Sequence, residues 1–118
     1  VDNKMPTYFG LEQNYPNPFN PSTVIRYSIK EKATVSLKVY DVLGNVIAVL
    51  VDEEKSAGIY EVEFYANGLP SGISAKGGYP SGVYFYQLRI ISPETNLPAG
   101  QTGSGQGFIE LKKLLLLK

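Results

Sequence analysis

The chain has 118 residues, of which 43% are hydrophobic and 19% are charged, a composition typical of one soluble globular domain. Its 11 basic residues balance its 11 acidic residues, so it has no strongly signed field to steer it toward nucleic acid or an anionic membrane. Cysteine and histidine are absent, which excludes a disulfide framework and removes the usual general base and zinc ligand.

The N-terminal segment begins with Val1-Asp2-Asn3-Lys4, without an initiator methionine and without the apolar stretch of a signal peptide. We therefore expect a processed product or an excised fragment. Residues 1–10 are interpreted as a linker or a donated strand, and residues 11–118 as one domain. The longest purely apolar run near the end, Leu114 to Leu117, is far too short to cross a bilayer, so we predict no transmembrane segment.

The most distinctive stretch runs from Leu11 to Pro21 and contains three prolines and three asparagines around two aromatic residues. Proline fixes φ and removes an N–H donor, and asparagine side chains can bond the nearby backbone. A strand-like run, Ser22 to Ile29, follows at once. We predict that the tract is a stiff and specific lead-in to a β domain, because its residue choice is too ordered for a flexible linker.

Alternating apolar and polar residues predict strands along most of the remaining chain. The residues predicted to face inward are Ile25, Tyr27, Ile29, Val35, Leu37, Val39, Tyr60, Val62, Phe64, Tyr84, Tyr86, Leu88 and Ile90. A last strand is predicted from Phe108 to Leu117. No segment shows a persuasive helical period, so six or seven short strands indicate an all-β fold, an antiparallel β-sandwich.

The segment between the predicted strands at residues 35–39 and 60–64 is predicted to contain two turns. Asp41 to Asn45 is expected to be tight, because Gly44 and Asn45 can adopt positive φ. Residues 46–51 are apolar on both faces and are interpreted as a well-covered strand. Residues 52–55, Asp-Glu-Glu-Lys, are interpreted as a solvated turn.

The proline tract and several later segments together resemble one known family. Members open with a relative of Leu-x-Gln-Asn-Tyr-Pro-Asn-Pro-Phe-Asn-Pro followed by Ser-Thr-x-Ile, as residues 11–25 do here. The resemblance continues at Val35 to Gly44, at Ser81 to Leu88 and in the apolar last strand, 112–118. It is to the Ig-like C-terminal sorting domain of type IX secretion cargo, the Por secretion family of Bacteroidetes-like bacteria.

This resemblance implies an Ig-like β-sandwich that serves as an address and not as an enzyme. It implies recognition in the periplasm by the outer-membrane secretion machinery, export, removal by a surface peptidase, and a secreted or surface-anchored cargo. No cofactor, metal or nucleic acid is implied. The candidate recognition residues are Asn14, Pro16, Asn17, Pro18, Phe19, Asn20, Pro21, Asp41, Gly44, Gly82, Tyr84, Lys112, Lys113 and Lys118.

Two regions depart from the family pattern. Leu69-Pro70-Ser71-Gly72-Ile73 is echoed ten residues later by Tyr79-Pro80-Ser81-Gly82-Val83, so residues 67–80 are interpreted as containing an inserted turn. Residues 92–106 form a long polar segment rich in glycine and proline before the last strand. Long loops of this kind are often binding loops or else disordered.

Other sites compete with these interpretations. Asp52, Glu53 and Glu54, with Asp41, include oxygen ligands for calcium, but they lack the spacing of a calcium loop and are expected to be a solvated surface. The three lysines near the C-terminus are either recognition points or edge-strand residues that block aggregation. Among nine tyrosines, a carbohydrate platform at 40, 65 and 79 is less favoured than ordinary packing with wet hydroxyls.

A rival function uses the same sandwich. The strongly apolar terminal strands would suit an extracellular structural subunit that self-assembles into a filament or surface layer. In that case residues 1–10, with Met5, Tyr8 and Phe9, would be donated to an open edge of a neighbouring copy. A carbohydrate-binding module is the third possibility.

Overall fold

The computed structural model describes residues 6–66, 79–92 and 106–117. Its seven strands are β1 Gly10–Leu11, β2 Ser22–Ile29, β3 Ala33–Tyr40, β4 Val46–Lys55, β5 Gly58–Tyr65, β6 Gly82–Ser92 and β7 Gln106–Leu116. Strands β1-β2-β5 form a three-stranded small sheet, and β4-β3-β6-β7 form a four-stranded large sheet. The paired strands are antiparallel, so the predicted all-β antiparallel sandwich of about seven strands is confirmed.

The core lies between the two sheets and follows the predicted alternation. Side chains on the inner face of β3 and β6 are buried, because each strand has neighbours on both sides and the small sheet above it. The fully buried side chains include Tyr27, Tyr86, Phe19, Ile25, Ile29, Leu37, Leu88, Ile90, Leu114 and Leu116. Each apolar side chain of this size stabilises the fold by about 1.5–3 kcal/mol relative to exposure.

The predicted solvated turn at residues 52–55 is wrong, because β4 continues to Lys55. This stretch pairs with the start of β3, as in the partners Ala33↔Lys55 and Val35↔Glu53. Charged side chains are tolerated there because β4 is an edge strand and they stay in water. The Nζ of Lys55 lies 2.7 Å from a carboxylate oxygen of Glu53, which pairs two neighbours two residues apart.

The apolar half of β4 is also less covered than its sequence predicts. Val46 is 48% exposed and Val49 is 50% exposed. Both pair with outward-facing residues of β3, Tyr40 and Lys38. The prediction of a well-covered strand is therefore wrong, because being apolar on both faces does not supply a second layer to cover the outer one.

The described part of the N-terminal segment packs on its own chain through Phe9. Phe9 packs on Phe108 of its own chain, with ring centroids 6.0 Å apart, while Tyr8 is exposed. Most of the two departures from the family pattern lies at 67–78 and 93–105, outside the described residues. Residues 1–5 and Lys118 lie outside them as well.

The predicted tight turn between β3 and β4 is present, and Gly44 gives it its shape. Gly44 has φ +87°, whereas no described non-glycine residue, Asn45 included, has a positive φ. The Gly44 N–H donates to the Asp41 carbonyl over 3.1 Å, and the Asp41 N–H donates to the Asn45 carbonyl over 3.0 Å. Nothing lies within 4 Å of where a Gly44 Cβ would project.

We expect Gly44→Ala to lower the free energy of unfolding by about 1–2 kcal/mol, because only the left-handed backbone conformation opposes a side chain there. Gly58→Ala is the matched control, since its new Cβ would meet the Tyr60 ring at an ordinary 3.6 Å. Urea unfolding followed by circular dichroism measures both. Equal losses in the two variants would mean that the turn conformation is not the cause.

Candidate functional site

The proline tract connects the two sheets. Its first half bonds to β2, where Tyr15 and Val24 exchange backbone hydrogen bonds of 3.0 and 2.9 Å. Its second half bonds to β7, where the Phe19 N–H donates to the Leu115 carbonyl over 2.9 Å and the Leu117 N–H donates to the Phe19 carbonyl over 3.1 Å. The peptide bonds before Pro16, Pro18 and Pro21 are cis. The tract therefore crosses from the small sheet to the large one.

The same tract caps the C-terminal half of the β7 edge. Asn17 Oδ1 accepts a hydrogen bond from the Leu115 N–H over 2.9 Å. Gln13 Nε2 donates to the Lys113 carbonyl over 2.8 Å. Unpaired backbone groups on an edge strand invite pairing with another chain, and these contacts remove several of them. We call this set of contacts between residues 13–19 and residues 113–117 the seam.

A buried polar network holds the tract in place behind the seam. The Asn14 side chain is buried, and its Nδ2 donates to Thr23 Oγ1 over 3.0 Å and to the Pro16 carbonyl over 3.1 Å. Thr23 Oγ1 in turn donates to the Pro16 carbonyl over 2.8 Å. The Asn14 Oδ1 accepts from Gln13 over 2.6 Å. Because a buried amide without partners destabilises the fold, this network fixes one path for the chain.

The Tyr86 hydroxyl links the tract to the centre of the large sheet. It accepts from the Asn14 N–H over 2.8 Å and donates to the Glu12 carbonyl over 2.7 Å. Burial raises the pKa of Tyr86 to about 12, which the Asn14 N–H partly opposes. The phenol therefore stays protonated and can serve as both donor and acceptor across the ordinary pH range.

Phe19 anchors the far end of the tract. Its ring is buried and lies 5.8 Å from the Phe64 ring of β5, centroid to centroid. Phe19 therefore fills the core between the sheets while its backbone pairs with β7. The position is a structural anchor and is not available to a partner in the folded domain.

The structure separates the predicted recognition residues by exposure. Asn14, Phe19 and Tyr84 are buried and shape the surface without being part of it. Asp41 and Lys112 are half-buried, and Lys112 lies 3.3 Å from a carboxylate oxygen of Glu110. Pro16, Asn17, Pro18, Asn20, Pro21, Gly44, Gly82 and Lys113 are exposed. Lys118 lies outside the described residues.

The seam and the outer face of the large sheet are adjacent parts of one surface. By outer face we mean the side of β4, β3, β6 and β7 that points away from the small sheet. Nine of the twelve exposed large hydrophobic side chains of the described residues lie on this face or at its turn and its end: Val42, Leu43, Val46, Val49, Val83, Ile91, Ile109, Leu111 and Leu117. Contiguous exposed apolar surface of this kind marks interaction sites.

A groove of about 320 Å³ lies on the outer face where the Asp41 turn meets β6 and β7. Its lining residues are Tyr40, Asp41, Val42, Gly44, Phe85, Gln87 and Leu111. The Tyr40 hydroxyl donates to Gln87 Oε1 over 3.3 Å and orients the aromatic floor. The predicted recognition turn and the predicted recognition strand thus line the same depression.

Asp41 makes the rim of this groove rigid. Its Oδ1 accepts from the N–H groups of Leu43 and Asn45, each over 2.9 Å, and its Oδ2 accepts from Asn45 Nδ2 over 3.2 Å. These bonds, chiefly the one from the Asn45 N–H, hold the pKa of Asp41 below its usual value. The carboxylate is therefore already occupied and is a turn-forming group, not a free ligand.

The opposite surface is different in character. On the outer face of the small sheet, Arg26 Nη2 lies 2.7 Å from a Glu61 carboxylate oxygen. Glu63 accepts from Ser22 over 2.9 Å and from Tyr65 over 2.7 Å. These charged groups bond to each other or to neighbouring hydroxyls, so the described part of this face is more polar than the outer face of the large sheet, although Ile59 is exposed on it.

The competing sites of the sequence are not assembled in the described part of the chain. Tyr40 lies on the outer face of the large sheet and Tyr65 on that of the small sheet, while Tyr79 stacks on Phe64 with centroids 5.5 Å apart. They share no platform. Across residues 6–66, 79–92 and 106–117, no group of three acidic side chains is arranged to hold a metal ion. Nor do these ranges contain a helix long and apolar enough to cross a membrane.

The chain is a small two-sheet β domain with an apolar outer face and a β7 edge that the proline tract caps along its C-terminal half. No protein-family model matches the sequence, and no curated protein matches it. Among solved structures, the fold is similar to part of dimeric latent PorU from Porphyromonas gingivalis, with a TM-score of 0.58 and 18% identity. The match covers 99% of this chain but 10% of that chain, so the likeness is to a small segment of a much longer protein.

Sequence reasoning missed the outer face. Val49, Ile109 and Leu111 carry it, and none of them belongs to the predicted recognition set. A signal was present, since β4 and β7 contain apolar residues at both parities of the strand. It could be interpreted only once both strands were known to be sheet edges.

Two buried tyrosines provide a matched test of the seam. Burial raises the pKa of both Tyr27 and Tyr86 to about 12. The Tyr86 hydroxyl has two backbone partners, whereas the Tyr27 hydroxyl bonds to no described residue. We expect Tyr86→Phe to lower the free energy of unfolding by about 1–3 kcal/mol, because it leaves two backbone groups unsatisfied.

We expect Tyr27→Phe to leave the stability unchanged or to raise it by up to about 1 kcal/mol, because the lost hydroxyl has no partner among the described residues. Urea unfolding at neutral pH measures both variants. Similar losses in the two would show that the Tyr86 bonds are not what fastens the tract.

The depressed pKa of Asp41 predicts a pH dependence. The folded carboxyl titrates below the ordinary value of 3.8, so its stabilising bonds are fully present above that value. They are lost as the pH falls through the lower, folded pKa. Asp41→Asn keeps an acceptor but removes the titration, so the gap in urea midpoint between wild type and variant should shrink as the pH is lowered from 6 to 2. A gap that stays constant would contradict this account.

Proposed function

We propose that the chain is a non-catalytic sorting and anchoring domain that directs its cargo across the outer membrane by type IX secretion. After export, a surface peptidase removes the domain and the cargo is released or attached to the cell surface. The cargo is therefore secreted or surface-bound and passes through the periplasm. The recognised surface consists of the exposed part of the proline tract, the Asp41–Asn45 turn, and the outer face of β6 and β7.

The observation that supports this best is the seam. The opening tract and the last strand are two of the segments in which the sequence resembles the family, and they lie about 100 residues apart in the chain (Asn17 to Leu115 is a separation of 98). They bond directly to each other in the folded domain. A signature made of two distant segments that form one continuous surface is what a folded address requires.

The likeness to PorU adds support at the level of the fold. PorU is the sortase of type IX secretion, and a segment of it shares this sandwich over nearly the whole length of the chain. A domain of this shape is therefore used within that system. At 18% identity the likeness supports an association with the system and not a particular role in it.

The test is a fusion of residues 1–118 to the C-terminus of a periplasmic reporter in a host with type IX secretion. We expect the reporter to reach the surface or the medium, measured by its accessibility to added protease in intact cells. The controls are the reporter alone and the fusion in a host that lacks the translocon. A reporter that stays in the periplasm with a folded, protease-resistant domain would falsify the proposal.

A structural subunit is the second candidate, and the apolar outer face favours it. Large exposed apolar surface suits repeated contacts between copies in a filament or surface layer. Size-exclusion chromatography and negative-stain imaging of the purified chain test it. Ordered fibres would support assembly, whereas a monomer at all concentrations would exclude it and leave the address function.

A further inference from the structure

Among the described residues, the outer face of the large sheet carries three cations without an ionic partner, and Asp52 and Glu54 of β4 lie at its edge. Lys38 on β3, Arg89 on β6 and Lys113 on β7 all point to this face, as their pairing shows. Within the described ranges, each salt bridge involves a different cation: Arg26, Lys32, Lys55 or Lys112. Among the described cations, these three and Lys30, which lies over the Phe9 ring, make no salt bridge, in contrast to Arg26 on the opposite face.

Apolar side chains lie beside these cations on the same face. The register places Tyr40, Phe85 and Lys113 in one row, and Lys38, Gln87 and Leu111 in the next. Arg89 and Ile109 lie in the row beyond. Strand spacing and rise place the three cations roughly 8–14 Å from one another, with Gln87 between them and Phe85 and Leu111 beside them. A complementary surface would present carboxylates opposite the cations and apolar groups opposite Phe85 and Leu111.

We propose that the partner of this face is a protein surface that presents carboxylates to Lys38, Arg89 and Lys113 and apolar groups to Phe85 and Leu111. This inference rests on the proposed function and names the chemistry of the partner that reads the address. Charge complementarity of this kind sets the orientation of an encounter and rejects wrong partners. The apolar contacts beside the cations supply affinity.

The physical dimensions favour a transient partner over a second copy. The outer face measures roughly 500 Å² from strand spacing and rise, less than the 800 Å² or so per partner of a standard stable interface. A twofold contact between copies would also bring the same three cations together. Attraction to an anionic membrane is disfavoured because the 11 basic and 11 acidic residues leave no net charge.

The experiment compares two triple charge reversals in the export assay. Lys38→Glu, Arg89→Glu and Lys113→Glu change the outer face, and Arg26→Glu, Lys30→Glu and Lys32→Glu change the total charge equally at other positions. We expect the first triple to lower export about tenfold or more and the second to leave it within about twofold. Replacing the same outer-face cations by glutamine should give an intermediate loss.

The contribution of the apolar side chains is tested by a second matched pair of substitutions. Leu111 on the outer face is 55% exposed and Ile59 on the small sheet is 58% exposed. Leu111→Gln should lower export severalfold, whereas Ile59→Gln should not. Circular dichroism and urea unfolding of each purified variant establish that it is folded, so a loss of export is not a loss of structure.

The possible outcomes separate the two proposals. If wild type is exported and both triples are exported equally well, the address function stands and the acidic partner is overturned. If wild type is not exported, the address function fails and the partner inference fails with it. Sedimentation of purified wild type alone and with phosphatidylglycerol vesicles completes the test. If purified wild type self-associates or binds vesicles, and the outer-face triple abolishes this binding, the proposal of a separate acidic protein partner is overturned.

Discussion

The bond between a proline-rich tract and the last strand is the constraint on which the rest of this domain depends. A two-sheet sandwich has edges, and each unpaired edge is a template for the wrong partner. Here the N-terminal tract supplies the missing partner for the end of β7, through the backbone of Phe19 and the side chains of Asn17 and Gln13. The seam therefore closes the sandwich and creates the surface around it.

The composition of the tract follows from this task. A full β-strand would pair with β7 along its whole length and would expose a new edge beyond itself. Proline has no N–H to offer on that new edge, and asparagine provides a side-chain acceptor where a backbone group is missing. Asn14 and Tyr86 then fasten the tract from within the core. The edge is capped without a further strand.

Once the seam and core are closed, the two outer faces are left with different properties. On the small sheet, Arg26 and Glu61 form an ion pair on a solvent-exposed polar surface. On the large sheet, Ile109, Leu111 and their neighbours remain exposed beside cations that form no salt bridge with the described residues. The difference arises because β4 and β7 are edge strands with apolar residues at both parities. The proposed recognition surface is thus the side of the large sheet that does not contribute to the core.

Strands with one apolar and one polar face could be predicted from local sequence alone. In β2, β3, β5 and β6 a period of two divides core from solvent, and the burial of Ile25, Leu37, Phe64 and Tyr86 follows from it. The positive φ of Gly44 was likewise readable, because few other residues adopt it. Local chemistry was sufficient wherever the competing conformations differ locally.

The pairing and exposure of β4, β7 and the proline tract depend on tertiary contacts and could not be predicted from local sequence. The acidic end of β4 became strand because β3 offered it pairing partners, and Val49 stayed exposed because it lies on the outer face of the large sheet, which no described layer covers. The contact of Asn17 with Leu115 joins residues 98 positions apart, which no local pattern encodes. A sequence pattern records which side of a strand is apolar, but the order of strands in the sheet decides whether that side meets a core, a partner or water.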